Sequence, residues 1–460
     1  MQCTLSSRQP VQACARRHAP HSARAVAVKP LGARRAAPTR SSSPFVGESK
    51  AFGARSIAHS GMRKRVTCAP RFNVVSSAEA VANPGGISDN AASANVVKSI
   101  LGAGTFALPW AFAKTGTVFT TVYMALAAVQ CLYCLSIMQR AGAIAVEKDP
   151  KNADLITSYG GLAVATLGPV GGNLTTLTVF VCIFGIAAAY LVFIASTLAT
   201  IMPYTQNHLI KVITPVMVAL SFIRTLSGVS IISMFGNVSV LLGMGAVIAY
   251  ASQLGFNFAS IPVMNAAGFP AAFGSVAFLF FVHFTMPPIE WSMAQPKEFF
   301  NSAAKAFAGS TIVAAAFGAL GAAAFGAGVS SVVITMMSGT AAAVVKLLLC
   351  FNLLCTFPIV SSSAFQIIER VMGGADNMSA PLIYGLRSAF VILAAWSAIA
   401  IPSFGKLLGL VGGVSCTALT LIFPPLMLFA TDKNISPVEK LYLLVTIAAG
   451  VAIAAGSISS

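Results

Sequence analysis

Eleven apolar stretches punctuate the chain, and nearly all reach the 17–25 helical residues that cross a bilayer's hydrocarbon core. They fall at 94–114, 117–139, 173–202, 208–223, 227–253, 273–294, 304–326, 339–365, 383–401, 404–429 and 440–457. The fourth is short and contains Pro215, and the boundary after Arg224 is the softest. This pattern predicts an all-α integral membrane protein of about eleven transmembrane helices.

Two of the stretches are interrupted. The first reads NVVKSILGAGTFALPWAFAKTG and is broken by Gly102, Ala103 and Gly104. A helix opened at mid-depth exposes backbone that hydrocarbon does not tolerate, unless the break lines a protein cavity. The sixth, FGSVAFLFFVHFTMPPIEWSMA, is interrupted around His283 to Pro288. A Pro-Pro pair alone would be a kink in a packed helix. Paired with a break five spans earlier, it marks an inverted repeat with a binding site near the midplane. The halves then run over about 93–254 and 273–430, with an extra span at 440–457.

Loop charge orients this array, because loops on the side of synthesis hold excess Lys and Arg. Loops after even-numbered spans carry Arg140, Lys148, Lys151, Arg224, Lys297, Lys305, Arg370, Arg387, Lys433 and Lys440, against Lys114, Lys211 and Lys406 after odd-numbered ones. The N-terminus is therefore expected inside.

Composition excludes a soluble protein: 57% of residues are hydrophobic and 9% charged, with a mean hydropathy of +0.82. The net charge of +17 is concentrated in the first 75 residues, where Glu48 is the lone acid among many arginines and lysines. That tail lacks the folded, aromatic-bearing surface of a nucleic-acid binder. Rich in Arg, Ser and Ala and without a continuous apolar core, it reads as an organelle transit peptide over 1–68. Val66-Thr67-Cys68-Ala69 resembles a plastid processing site with cleavage after Cys68. A mitochondrial presequence, or a basic tail that stays on the chain, is the rival reading. Residues 69–92, with Pro84, Gly85 and Gly86, are then a flexible lead-in to a transporter domain at 93–457.

Nine cysteines imply no disulfide framework, since six lie in apolar runs where thiols act as small hydrophobes. Cys131 and Cys134 form a C-x-x-C inside a span without a second pair, a poor zinc or redox motif. Glu290 is read as the lone embedded acid, and no nucleophile–base pair or metal spacing appears. Neither an enzyme nor a cofactor is expected.

Four segments resemble the amino acid/auxin permease family: VKSILGAGTFALPWAFAKTG from Val97, FLFFVHFTMPPIEWSMAQPKEF from Phe278, VKLLLCFNLLCTFPIVSSSAFQIIER from Val345, and IAIPSFGKLLGLVGGVSCTALTLIFPPLMLF from Ile399. The resemblance covers nearly all of 93–457. It implies the five-plus-five inverted-repeat fold of leucine-transporter-type carriers, with spans 1 and 6 broken. It further implies secondary active transport of amino acids, driven by protons or, in some branches, sodium.

The residues agree with that chemistry, because a broken helix offers bare N–H groups at one half-helix start and bare carbonyls at the other's end. The turn at Gly102, Ala103, Gly104 and Thr105 is the candidate carboxylate site. Carbonyls of Ser99 to Leu101 and near Phe281 are the candidate partners of the ammonium. By resemblance Tyr190 covers the substrate; a Tyr packed with its hydroxyl satisfied is the alternative. His283 matches a family histidine at the span 6 break, lining the pocket or bonding to unwound backbone. Val282 departs from the family, where a glycine is usual.

Coupling rests on Lys98, Glu290 and Thr356. A lysine within a span costs about 2.5–3.5 kcal/mol, so Lys98 should have a partner or a task. Glu290 is a candidate partner, and snorkelling of Lys98 with Glu290 capping its helix is the alternative. By resemblance Lys98 stands where sodium-coupled relatives carry an ion-ligating asparagine, and Thr356 matches another ligand. The expectation is a proton-coupled carrier of neutral amino acids embedded in the lipid bilayer of a plastid membrane, with a mitochondrial inner membrane or endomembrane as the other addresses. A transport-derived amino acid sensor, or a sodium-coupled carrier, is the rival reading.

Overall fold

A computed structural model of the chain describes residues 85–223, 229–373 and 378–459. The expected transit peptide with its processing site, the lead-in up to residue 84 and Arg224 lie outside the described residues.

The protein is all-helical, as read from the sequence. Among the described residues there is no strand beyond an isolated bridge, Ile87 with Met293. The first half consists of α1 (Asp89–Ile100), α2 (Leu108–Thr115), α3 (Thr117–Lys148), α4 (Tyr159–Leu198), α5 (Gln206–Ser221) and α6 (Val229–Leu254). The second holds α7 (Phe269–Phe280), α8 (Met286–Trp291), α9 (Phe299–Phe325), α10 (Thr340–Val371), α11 (Ala380–Ala400), α12 (Phe404–Leu410) and α13 (Phe423–Thr431). The last helix is α14 (Pro437–Ser459). Among the described residues eight helices are long and apolar enough to cross a membrane, or nine with the bent pair of α1 and α2. The 16 residues of α5 rise only about 24 Å.

Several boundaries differ from the sequence reading. Ser88 caps α1 by accepting from the Ala91 N–H, so the helix starts at Asp89, within the segment expected as flexible lead-in. Just before it, Ile87 donates to Ser292 O at 2.8 Å and accepts from Ala294 N at 2.9 Å. α3 runs on to Lys148 because Arg140 pairs with Asp432 and Glu439, which keeps a charged helix end folded against the bundle. α4 starts at Tyr159, before a kink at Gly168 (φ 74°) and Pro169. That Gly-Pro reads as a loop in sequence, yet the left-handed glycine lets helical segments join across it.

Corresponding helices of the two halves lie against each other, α3 on α9, α4 on α10 and α5 on α11, and the broken spans cross, α2 on α7 and α1 on α8. A two-fold axis in the membrane plane would produce these contacts. The buried centre is aromatic: Phe106 beside α2 meets Phe193 of α4 edge-on at 5.8 Å and Phe317 of α9 at 6.0 Å.

Candidate functional site

Both interruptions are true breaks in the helical hydrogen-bond ladder, and they are built alike. At the first, the Leu101 N–H reaches back to Val97 O at 2.7 Å, Gly102 N to Ile100 O at 3.1 Å, and Thr105 N to Gly102 O at 3.1 Å. At the second, Phe281 N reaches Ala277 O at 2.8 Å, Val282 N reaches Phe280 O at 2.9 Å, and Thr285 N reaches Val282 O at 3.0 Å. Residue for residue, Leu101 corresponds to Phe281, Gly102 to Val282 and Thr105 to Thr285. Each break passes from an α-helix through an extended or bridging residue into a short 3-10 turn, Ala103–Ala107 or His283–Thr285. A bend of 44° separates α1 from the segment beginning at Ala103. A helix ending this way leaves its last carbonyls without partners in its own ladder.

The expected site residues divide by what their atoms do. Leu101, Ala103, Gly104 and Thr105 are buried and Gly102 is half-buried. Gly104 is a packing glycine, since a Cβ there would sit 2.8 Å from the Phe278 ring, whereas a Cβ on Gly102 would meet open space. The Thr105 hydroxyl is fully buried with no hydrogen-bond partner among the described residues. Such an orphan polar atom demands an explanation, and a bound ligand is one. Ser99 turns its hydroxyl back onto Asn95 O at 3.0 Å. Tyr190 of α4 is half-buried. Its hydroxyl has no hydrogen bond among the described residues.

His283 is 1% exposed. Its Nε2 lies 2.9 Å from Cys131 O and its Nδ1 2.9 Å from Thr420 Oγ1. A carbonyl oxygen only accepts, so Nε2 carries the proton and Nδ1 accepts from Thr420. The Cys131 thiol in turn lies 3.5 Å from Phe280 O, one of the carbonyls expected to face the substrate. The carbonyl that His283 meets belongs to the continuous helix α3 and not to unwound backbone. His283 ties the second break to α3 and to the segment between α12 and α13. Phe281 is buried against Phe273.

Among the coupling residues, Lys98 is half-buried in the last turn of α1. Glu290 is 8% exposed and accepts from Gln139 Nε2 at 2.7 Å. α1 and α8, which carry them, pack on each other. Thr356 donates to Asn352 O of its own helix at 2.8 Å.

Other embedded charges escaped the sequence reading. Glu290 is not the lone embedded acid, because Glu369 of α10 pairs with buried Arg387 of α11 at 2.7 Å. Lys346 of α10 is 3% exposed. Their signal was present as a charge inside an apolar stretch or at its edge, but counting loop charges assigned such residues to loops or passed over them.

Membrane-length helices around two like breaks define a multi-pass helical membrane protein built in two related halves. The family model described as transmembrane amino acid transporter protein matches residues 85–460, and the chain belongs to that family. It is an amino acid transporter. Amino acid transporter ANT1 of Arabidopsis thaliana is 28% identical over 356 residues, covering 72% of this chain and 82% of its own length. Amino acid transporter AVT3B of the same plant is 26% identical over 363 residues, 74% of this chain and 84% of its own. The solved structure of MhsT in complex with L-phenylalanine overlays 77% of this chain and 98% of its own, with a TM-score of 0.44 at 11% identity. At that level neither residue register nor ligand transfers.

Proposed function

We propose that the protein moves neutral amino acids by alternating access, coupled to protons, across a plastid membrane. The observation that carries the reading is the pair of like breaks. Thr105, Gly102 and the N–H groups of the Ala103–Ala107 turn form the side that receives the carboxylate. The open carbonyl ends of α1 and α7 receive the ammonium. Among the described residues no carboxylate lies within either break to meet a cationic side chain, which favours neutral substrates. Glu290, buried with a neutral amide partner, is the group that takes up and gives up the proton, with Lys98 on the adjoining α1 answering its charge. An ammonium at 98 also occupies the place where sodium-coupled relatives ligate their ion.

The test is uptake of radiolabelled neutral amino acids into proteoliposomes under imposed gradients. Uptake should rise with an inward proton gradient and ignore a sodium gradient. Glu290→Gln or Lys98→Ala should lower the pH response at least severalfold while the protein still reconstitutes. Strong sodium stimulation of the native protein would sink the coupling scheme.

A further inference from the structure

The segment joining α9 to α10 is not a surface loop. Gly326 and Gly339 bracket it with φ of 67° and 95°, a left-handed backbone that side chains resist. Between them the chain dips inward: Val332, Val333 and Ile334 are 2%, 0% and 0% exposed. Its 3-10 turn Val333–Met336 contacts α4, α6, α10 and the Ala103–Ala107 turn of the first break. A Cβ on Gly405 would lie 3.1 Å from Ser331 Cβ and from the Trp110 ring, so the segment also fits closely beside α12. By loop charge it lies on the face opposite the N-terminus.

A buried ammonium fastens its exit. Lys346 Nζ donates to Met337 O of the segment at 2.8 Å and to Thr200 Oγ1, just past the end of α4, at 2.8 Å. Tyr250 of α6 adds a hydroxyl contact to Ser338 at 3.1 Å. Nothing in packing requires a cation here, since apolar side chains of similar length fill such positions without the desolvation of a charge. A charge-assisted bond across three elements is what the lysine adds.

We propose that Lys346 is a positioning residue, a latch that holds the 326–339 segment against the first break and so controls access to the site from the outer face. The consequence for transport rests on the carrier reading above, but the latch itself is read without it. The segment hinges at its two glycines, and releasing Met337 O and Thr200 together frees it.

The test is the labelling rate of Val333→Cys by a charged, membrane-impermeant maleimide in proteoliposomes, measured against the same protein without that cysteine. Losing one hydrogen bond from a charged donor shifts an opening equilibrium roughly tenfold or more, so adding Lys346→Met, which removes two, should speed labelling at least about tenfold. Lys346→Arg should return the rate toward its starting value, and the melting temperature should stay near that of the parent. Should Lys346→Met fail to fold, Thr200→Val removes one acceptor alone and should speed labelling severalfold. An unchanged rate in whichever variant folds overturns the latch. Absence of uptake by the native protein, with the labelling difference intact, would instead overturn the carrier reading.

Discussion

Gly102 and Gly104 stand two positions apart and differ in what a side chain would meet. At Gly104 the Phe278 ring already occupies the space, while Gly102 opens onto room at the mouth of the break. Gly102 has φ −125°, which any residue adopts, so its lack of a side chain serves space and not backbone freedom. Gly104→Val should cost about 1–3 kcal/mol through overpacking and show as a lower melting temperature in detergent. Gly102→Val should melt like the native protein yet lose most uptake, because the side chain fills the substrate's approach to the backbone. Native uptake by a folded Gly102→Val protein would place the substrate elsewhere. The sequence revealed that both glycines open the helix, through their spacing in an apolar run. It did not reveal which of them packs, because that depends on an aromatic from the other half of the chain. His283 was legible as a residue of the second break for the same local reason. Its partners Cys131 and Thr420 come from remote helices with no sequence signature of their own.

At the scale of the element, span 10 departs furthest from expectation. Residues 404–429 read as an ordinary apolar helix, but Val411–Cys416 and Ala418–Ile422 are wound as π-helix, a geometry that collects at functional sites. Hydrophobic composition cannot separate a π from an α turn, because both bury the same apolar residues. The physical cause lies across the interface. A Cβ on Gly412 would fall 2.1 Å from Gly274 O, and one on Gly274 would fall 2.3 Å from Gly409 Cα, so α7 and span 10 run nearly backbone to backbone. The Thr417 hydroxyl bonds Gly412 O at 2.8 Å, five residues back, and Thr420 of the same wide turns holds His283. Gly412→Ala should therefore push α7 away, destabilise the protein by about 1–3 kcal/mol and impair uptake. Gly409→Ala, whose Cβ would meet nothing within 4 Å, is the matched control. Equal melting temperatures for the two variants would show that the close approach does not constrain this pair of helices.

At the scale of the whole molecule, the two-half plan was legible because interrupted helices are rare and these two recur at the same place in each half. The order of helices was legible because a bilayer imposes one length on every span. The contacts between counterparts were not, since they follow from an axis that appears only once the chain is folded. The chain's destination depends on its other end. The acid-poor tail closes on Val66-Thr67-Cys68-Ala69, upstream of every described residue. Near the start of the described residues Ile87 is bonded on both sides to the run after α8, with Gly86 so close to Ala294 N that a Cβ would lie 2.4 Å away. Cleavage after Cys68 would keep every described residue on the chain, whereas trimming through Ile87 would strip two backbone hydrogen bonds that join the entry of span 1 to the exit of span 6. The mature protein is expected to begin near Ala69 and to fractionate with plastids. N-terminal sequencing of the native protein checks this. An intact Met1 terminus, or recovery with mitochondria, would overturn the plastid assignment. A protein begun at Asp89 should melt below one begun at Ala69, by the loss of that bridge and of the Ser88 cap.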